Sequence, residues 1–241
     1  MDKLKVFCLP YAGGSKSIFQ DWINKYASAA EIIPMEYSGH GSRFCDALYE
    51  NADDVAEDIF KNIVAMHPEH YVIYGHSMGC LIALLVAIRL EQKYAYAPKA
   101  VIIGGTRPPH LKEKDEKLAD LPKQQFMEKI FSLGQTDSEI MNEPELVDLL
   151  YDVFHADILV DETYSRYGAL PKLSAPMVVM TGLQDDDAPA EDMQEWAKYT
   201  DGAFYFQLFD SDHFFPFHCN AFPEYFLKML RKAEDGTISY K

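Results

Sequence analysis

The chain has 241 residues, of which 48% are hydrophobic and 25% are charged, a balance typical of a globular protein with its own core. Its 22 basic and 38 acidic residues give a net charge of −16 at pH 7, so the mean field repels phosphate and argues against nucleic-acid binding. The same charge argues against a polybasic membrane anchor, and no apolar run reaches the roughly 18 residues of a spanning helix.

The first residues and the cysteines indicate a cytoplasmic protein. The apolar run within residues 4–9 is too short for a signal peptide, and no small-residue cleavage site follows it. The 4 cysteines lie far apart and form no C-x-x-C pair. This spacing predicts reduced packing residues rather than disulfides or a zinc site. We expect one domain over residues 1–241, and a monomer by default.

Six short, continuous apolar runs are typical of buried parallel strands. In chain order they are Val6–Leu9, Ile32–Met35, Tyr71–Tyr74, Ala100–Ile103, Met177–Thr181 and Phe204–Phe209. Helix-length segments lie between them, of which Ala52–Met66 is amphipathic and Met78–Leu90 almost wholly apolar. This alternation predicts an α/β fold in which helices flank a mostly parallel central sheet.

One stretch, residues 107–167, contains no convincing strand. It holds short amphipathic helices instead, such as Pro122–Leu133 and Glu143–Phe154, with breaks at Gly134 and Asn142. A helical insertion between two strands is the geometry of a lid over a site at the carboxyl ends of the sheet. The alternative is a helical elaboration that only enlarges the core.

The third predicted strand runs directly into Gly75-His76-Ser77-Met78-Gly79, and an apolar helix follows. This is G-x-S-x-G in the strand–turn–helix context of a nucleophile elbow, where a sharp turn presents the serine Oγ above the sheet. The glycines are needed because a Cβ at either position would collide with the neighbouring strand or helix. Ser77 is therefore the predicted nucleophile, and the alternative is a chance pentapeptide.

A serine nucleophile needs a base and a carboxylate that orients the base, in the chain order Ser, Asp or Glu, His for this elbow. The fifth predicted strand ends before Asp185, Asp186 and Asp187, and the sixth ends shortly before His213. We expect His213 to be the base, with His218 as its rival. Asp185 is favoured over Asp186 as the acid. Asp187 is expected to cap a helix at 190–199 or to be solvated.

The first strand ends in Tyr11-Ala12-Gly13-Gly14-Ser15. The glycine pair lets the backbone approach a substrate and turn an N–H toward it. We therefore expect the oxyanion hole to be formed by the amides of Ala12 and Met78. A phosphate-binding turn is the alternative, but the chain has neither G-x-G-x-x-G nor G-K-[ST] at this position.

Together these motifs resemble those of type II thioesterases, the free-standing editing enzymes of nonribosomal peptide and polyketide synthases. The matching segments are Leu9-Pro10-Tyr11-Ala12-Gly13-Gly14 with Phe19 and Trp22, Gly39-His40-Gly41-Ser42-Arg43, the Ser77 elbow, Arg107-Pro108-Pro109-His110, Asp185, and His213-Phe214-Phe215. The chain departs from the family pattern at Ser38, where a proline is usual, and at Asp212, where a glycine is usual. The second departure places a carboxylate beside the base and is expected to stabilise its imidazolium form.

The resemblance implies an α/β-hydrolase fold with a helical lid, and it places nucleophile, acid and base on Ser77, Asp185 and His213. It implies that the substrate is an acyl group on the phosphopantetheine arm of an acyl or peptidyl carrier protein, and that no metal or diffusible cofactor is required. Three alternatives remain open: a general carboxylesterase, a thioesterase that releases medium-length fatty acids, and an idle hydrolase fold that serves as a binding subunit.

Carrier proteins are generally acidic, so the charge of −16 opposes long-range attraction to such a partner. A local basic patch or an apolar surface must supply the contact. The densest cationic stretch near the expected site is Arg107, Lys112, Lys114 and Lys117. Its alternative interpretation is a solvated, charge-mixed helix, because acidic residues alternate with the lysines.

Overall fold

The structure is a computed structural model that describes residues 3–114, 117–132, 143–164 and 170–238. The described residues form one six-stranded sheet in the order β2-β1-β3-β4-β5-β6, with every neighbouring pair parallel. The strands are β1 Lys5–Leu9, β2 Glu31–Pro34, β3 Tyr71–His76, β4 Val101–Gly104, β5 Met177–Gly182 and β6 Phe204–Phe209. All six predicted strands are confirmed, with ends that differ by a residue or two.

Helices cover both faces of the sheet, because its strands are apolar on both sides. They are α1 Gln20–Lys25, α2 Ala52–Ala65, α3 Met78–Lys93, α4 Lys123–Ser132, α5 Pro144–Glu162, α6 Ala190–Gln194, α7 Phe215–His218 and α8 Phe222–Glu234. One core layer packs α2 and α3 against the sheet. The other packs α1 and α8 against the opposite face. No helix among the described residues is long and apolar enough to cross a membrane.

The described part of residues 107–167 contains no strand, as expected for the insertion, and it holds two 3₁₀ helices, Pro109–Lys114 and Leu118–Asp120, before α4 and α5. Its helices α4 and α5 share a small core of their own, built on Phe126, Met127 and Ile130. The breaks predicted at Gly134 and Asn142, and the predicted end of the insertion at residue 167, lie outside the described residues.

Helix α5 continues to Glu162, eight residues beyond the end predicted at Phe154. The polar residues of this last part interrupt the apolar pattern, yet they have partners in the fold. Asp161 pairs with Lys112, and the carboxylate of Glu162 accepts the amides of Leu118 and Ala119. A helix whose polar side chains bond to other segments cannot be delimited from its own periodicity.

A second predicted helix has a different form from the one expected. The segment 190–199 is an α-helix only over Ala190–Gln194 and continues as a 3₁₀ helix over Glu195–Tyr199. Trp196 lies in the 3₁₀ part, fully buried, and its indole N–H donates to the carbonyl of Thr106 at 2.8 Å. The 3₁₀ part of the helix is thus the part that is hydrogen-bonded to the loop after β4.

Candidate active site

Ser77 lies in the sharp turn between β3 and α3. Its backbone angles are φ 53° and ψ −121°, which is rare for a residue with a Cβ and stores strain at the turn. Its amide donates to the carbonyl of Gly104 on the neighbouring strand at 2.8 Å, so the turn is fixed to the sheet. The side chain caps no helix amide. The strand–turn–helix elbow predicted from the sequence is present.

Two glycines make this turn possible. A Cβ on Gly75 would lie 2.2 Å from the carbonyl oxygen of Gly79, and a Cβ on Gly79 would lie 2.4 Å from the carbonyl oxygen of Leu9. Both obstacles are backbone atoms, so no side-chain rotation relieves them. The contact with Leu9 also shows that the end of β1 lies directly against the start of α3.

The loops after β5 and β6 are joined to each other, and this brings the predicted acid and base together. The amide of Gln184 donates to the carbonyl of Ser211 at 3.0 Å. Beyond this junction, Nδ1 of His213 lies 2.9 Å from Oδ2 of Asp185. Asp185 is only 5% exposed, and its other carboxylate oxygen accepts the amide of Asp187 at 3.2 Å.

The geometry separates Asp185 from its neighbours. Asp186 and Asp187 are both exposed. The helix cap predicted for Asp187 is absent, because Pro189 occupies the N-cap position of α6 and no side chain caps that helix. Of the two interpretations of Asp187, the structure therefore contradicts the cap.

His213 is placed beside the elbow by the residues that follow β4. A Cβ on Gly105 would lie 3.3 Å from Cε1 of His213, and the preceding residue, Gly104, accepts the amide of Ser77. On another side, the ring of His76 lies 5.1 Å from that of His213 between centroids. Burial, with a smaller effect of His213, lowers the pKa of His76 well below its ordinary value. His76 is therefore a neutral packing group, as its position inside the elbow predicts.

The rival base, His218, belongs to a different cluster. Its Nε2 lies 3.1 Å from Oγ of Ser211 and 3.0 Å from Oδ1 of Asp212. The same oxygen of Asp212 accepts the amide of Phe214 at 2.9 Å. Asp212 is thus engaged with His218 and its own loop, and its expected stabilisation of an imidazolium on His213 remains a prediction.

The turn after β1, where the oxyanion hole is predicted, is tight and closed by a hydrogen bond. The amide of Gly14 donates to the carbonyl of Tyr11 at 2.9 Å, and Gly13 has φ +74°, a left-handed conformation that favours glycine. The turn follows directly on Pro10, whose carbonyl oxygen would lie 2.7 Å from a Cβ on Gly79, the residue after Met78. The two predicted donors, Ala12 and Met78, therefore lie on adjacent segments.

Helix α5 of the insertion covers this turn. A Cβ on Gly13 would fall within the ring of Phe154, at 1.9 Å from Cε1. One helical turn further, Oδ2 of Asp157 accepts the amide of Gly13 at 2.6 Å. The insertion thus contacts the turn after β1, and its action as a lid remains a prediction.

Two of the four residues in the cationic stretch predicted near the site have partners within the fold. Lys112 forms an ion pair with Asp161 at 2.7 Å, and Nε of Arg107 donates to the carbonyl of Asp187 at 3.0 Å. Lys117 is exposed, and the side chain of Lys114 lies outside the described residues. Lys112 is therefore held by an acidic residue of α5, a partner that neither the docking patch nor the solvated, charge-mixed helix predicted.

Asp185, Asp187 and His213 are the one group of three metal-type ligands found among the described residues, with ligand atoms within 4.8 Å of one another. A cation bound there would compete with the hydrogen bond between Asp185 and Nδ1 of His213. The expectation that no metal or cofactor is required remains a prediction.

A parallel sheet with a serine on a strained elbow, and a histidine–aspartate pair after its last two strands, defines an α/β-hydrolase. The sequence profile of the thioesterase domain matches residues 4–233. The chain belongs to the thioesterase family, and it is an enzyme that hydrolyses thioesters.

Comparison with individual proteins supports the resemblance to type II thioesterases. Thioesterase PikA5 of Streptomyces venezuelae is 28% identical over 98% of this chain and 85% of its own length. The structure of the type II thioesterase BorB, from the borrelidin biosynthetic cluster, has a TM-score of 0.85 at 25% identity and covers 95% of this chain and 93% of its own. ClbQ, from the colibactin nonribosomal peptide and polyketide pathway, has a TM-score of 0.84 at 25% identity and covers 98% of this chain and 97% of its own.

Proposed function

We propose that this enzyme removes acyl groups from the phosphopantetheine arm of acyl or peptidyl carrier proteins, as an editing thioesterase of nonribosomal peptide or polyketide biosynthesis. The observation that carries the proposal is the hydrogen bond between His213 and the buried carboxylate of Asp185, beside the strained elbow of Ser77. The relatives from such pathways supply the substrate class. The free cysteines support the proposal of a cytoplasmic enzyme.

The proposed reaction has two steps. His213 takes the proton of Ser77 through Nε2 while Asp185 holds Nδ1–H, and Oγ attacks the thioester carbonyl. The amides of Ala12 and Met78 receive the oxyanion, the C–S bond breaks, and His213 returns the proton to the carrier thiol. Water, deprotonated by the same histidine, then hydrolyses the acyl-serine and releases the free acid.

Docking to an acidic carrier has to overcome the net charge of −16 by local contacts. The lid offers apolar surface for this purpose, because Leu146 and Leu149 are exposed and lie three residues apart on α5. We propose that the carrier contacts this apolar surface of the lid rather than a basic patch. The pairing of Lys112 with Asp161 supports this choice.

The substrate class is tested by presenting one acyl group in two forms. We expect kcat/KM for the acyl-carrier thioester to exceed that for a simple ester of the same acid by about 100-fold or more, because contacts with the arm and carrier add transition-state binding. The Ser77→Ala enzyme serves as the blank for spontaneous hydrolysis. Equal values, or a preference for the ester, would favour a general carboxylesterase.

The same assay with a panel of short to long acyl chains separates editing from product release. We expect an editing enzyme to hydrolyse short acyl groups and to accept a range of lengths. Activity restricted to medium-length chains would instead indicate a thioesterase that releases fatty acids from a synthase.

A further inference from the structure

Asp157 connects three segments that are distant in the sequence. It lies on lid helix α5 and is 4% exposed. Its Oδ2 accepts the amide of Gly13 at 2.6 Å and lies 2.9 Å from Nε2 of His40. Sequence reasoning singled out neither Asp157 nor a role for His40, although both are buried polar residues beside the predicted oxyanion turn.

The hydrogen bonds of His40 indicate that it carries a positive charge. Its Nδ1 lies 3.0 Å from the carbonyl oxygen of Ser38, which can only accept, so Nδ1 bears a proton. Its Nε2 faces an oxygen of Asp157 that already accepts from Gly13. If Nε2 also bears a proton, it donates to the ionised carboxylate of Asp157, and each hydrogen bond then has one donor and one acceptor. With protons on both nitrogens, the ring is an imidazolium.

The charged groups around His40 favour the same state. Burial by itself lowers the pKa of His40, but the hydrogen bond and charge of Asp157, the Ser38 carbonyl and the carboxylate of Glu36 outweigh it and raise that pKa. The ring of Tyr37 lies 5.8 Å from that of His40 and presents no charge. The result is a buried ion pair that joins the lid helix to the core.

The amide that Asp157 accepts belongs to the oxyanion turn. The Gly13 N–H lies in the peptide between Ala12 and Gly13, so Asp157 fixes this peptide. The preceding peptide, which carries the Ala12 amide, is held within the same turn, because its Tyr11 carbonyl accepts the amide of Gly14 at 2.9 Å. The base of the turn is held separately, because the hydroxyl of Tyr37 donates to the carbonyl of Pro10 at 3.2 Å. Asp157 is thus the hydrogen-bonded contact between α5 and the turn, beside the packing of Phe154 on Gly13.

We propose that Asp157 is a positioning residue that couples the lid to the oxyanion hole: with α5 docked, its carboxylate, held by His40, fixes the Gly13 peptide and so steadies the turn that presents the Ala12 amide to the developing oxyanion. This inference rests on the proposed role of Ala12. When α5 moves away, the Gly13 amide loses its acceptor, and the turn is held only by the bonds of Gly14 to Tyr11 and of Tyr37 to Pro10. Catalytic competence is thereby tied to the position of the lid.

The test compares two variants of the same helix. Asp157→Asn keeps the shape but removes the charge that His40 and Gly13 share. Its matched control is Asp161→Asn, which breaks the ion pair of α5 with Lys112 one turn further and leaves Gly13 and His40 untouched. Both changes weaken the attachment of the lid helix, and only the first reaches the oxyanion turn.

We expect Asp157→Asn to lower kcat on a small acyl thioester by about 10- to 100-fold with little change in KM, since misaiming a donor costs less than the 10²–10³-fold of removing one. The affinity for an alkylboronic acid, whose adduct mimics the oxyanion, should fall by a similar factor. Asp161→Asn should lower both by no more than about twofold. Equal losses in the two variants, or a loss of melting temperature alone, would overturn the proposal.

A measurement on the unmodified enzyme covers the case in which Asp157→Asn does not fold. Nitrogen NMR of the histidines at pH 7 should find both ring nitrogens of His40 protonated, and hydrogen exchange should find the Gly13 amide protected. A neutral His40 or a freely exchanging Gly13 amide would contradict the coupling. Neither measurement depends on enzyme activity, so failure of the coupling can be distinguished from failure of the proposed function. The proposed function fails if thioester hydrolysis survives in Ser77→Ala.

Discussion

Replacing Ser77 with alanine is expected to lower kcat on an acyl-carrier thioester by roughly 10⁶-fold, as removal of the nucleophile does in other triads. The physical reason is that no other group stands at the elbow, so the first C–O bond of the two-step reaction cannot form. The residual rate comes from the oxyanion donors and substrate binding. Steady-state release of the carrier thiol, measured with a thiol reagent, gives the value.

Ser211→Ala is the matched control for this change. Ser211 also follows a strand at the same edge of the sheet, but its Oγ lies 3.1 Å from His218 rather than beside His213. We expect its loss to change kcat by no more than about twofold, as for other surface substitutions. If Ser77→Ala retained most of the activity, the proposed mechanism would be wrong.

Asp185→Asn is expected to lower kcat by about 10⁴-fold with the fold intact, because an amide cannot hold Nδ1–H of His213 as a carboxylate does and favours the wrong tautomer. The carboxylate lies 2.9 Å from that nitrogen, so the neutral amide disturbs the bond directly. The measurement is kcat together with the melting temperature.

The neighbouring aspartates provide the controls for Asp185. Asp186→Asn and Asp187→Asn remove charges that are exposed, and each should leave kcat within about threefold of the unmodified enzyme. A larger loss in Asp186→Asn than in Asp185→Asn would transfer the role of acid to Asp186. This comparison settles the choice that the sequence leaves open.

The sheet is predictable from the sequence because parallel strands are buried on both faces and read as continuous apolar runs. The third run, Tyr71–Tyr74, is confirmed as β3, which continues for two more residues and ends at His76, where the elbow begins. The end of α5 is not predictable in this way. In the sequence, Asp157 and Asp161 interrupt the apolar pattern and so suggest that the helix has ended. In the structure both are paired within α5's surroundings, with His40 and Lys112, which are far away in the chain.

The candidate site also contains residues that the sequence locates and contacts that only the structure shows. Ser77, Asp185 and His213 can be located because each follows a recognisable strand and the chain order of the three is fixed by the fold. The rejection of the cap at Asp187 and the pairing of Asp212 with His218 need coordinates, since both depend on where a loop turns. The contact of Asp157 with Gly13 spans 144 residues, and no local pattern records it.

The most direct test of the account is the mapping of a fluorophosphonate adduct by mass spectrometry. We expect one adduct per chain, located on Ser77, slowed by prior addition of an acyl-carrier thioester and absent from Ser77→Ala. An enzyme that hydrolyses thioesters yet forms no adduct, or forms it on another residue, would contradict the assignment of Ser77 as the nucleophile.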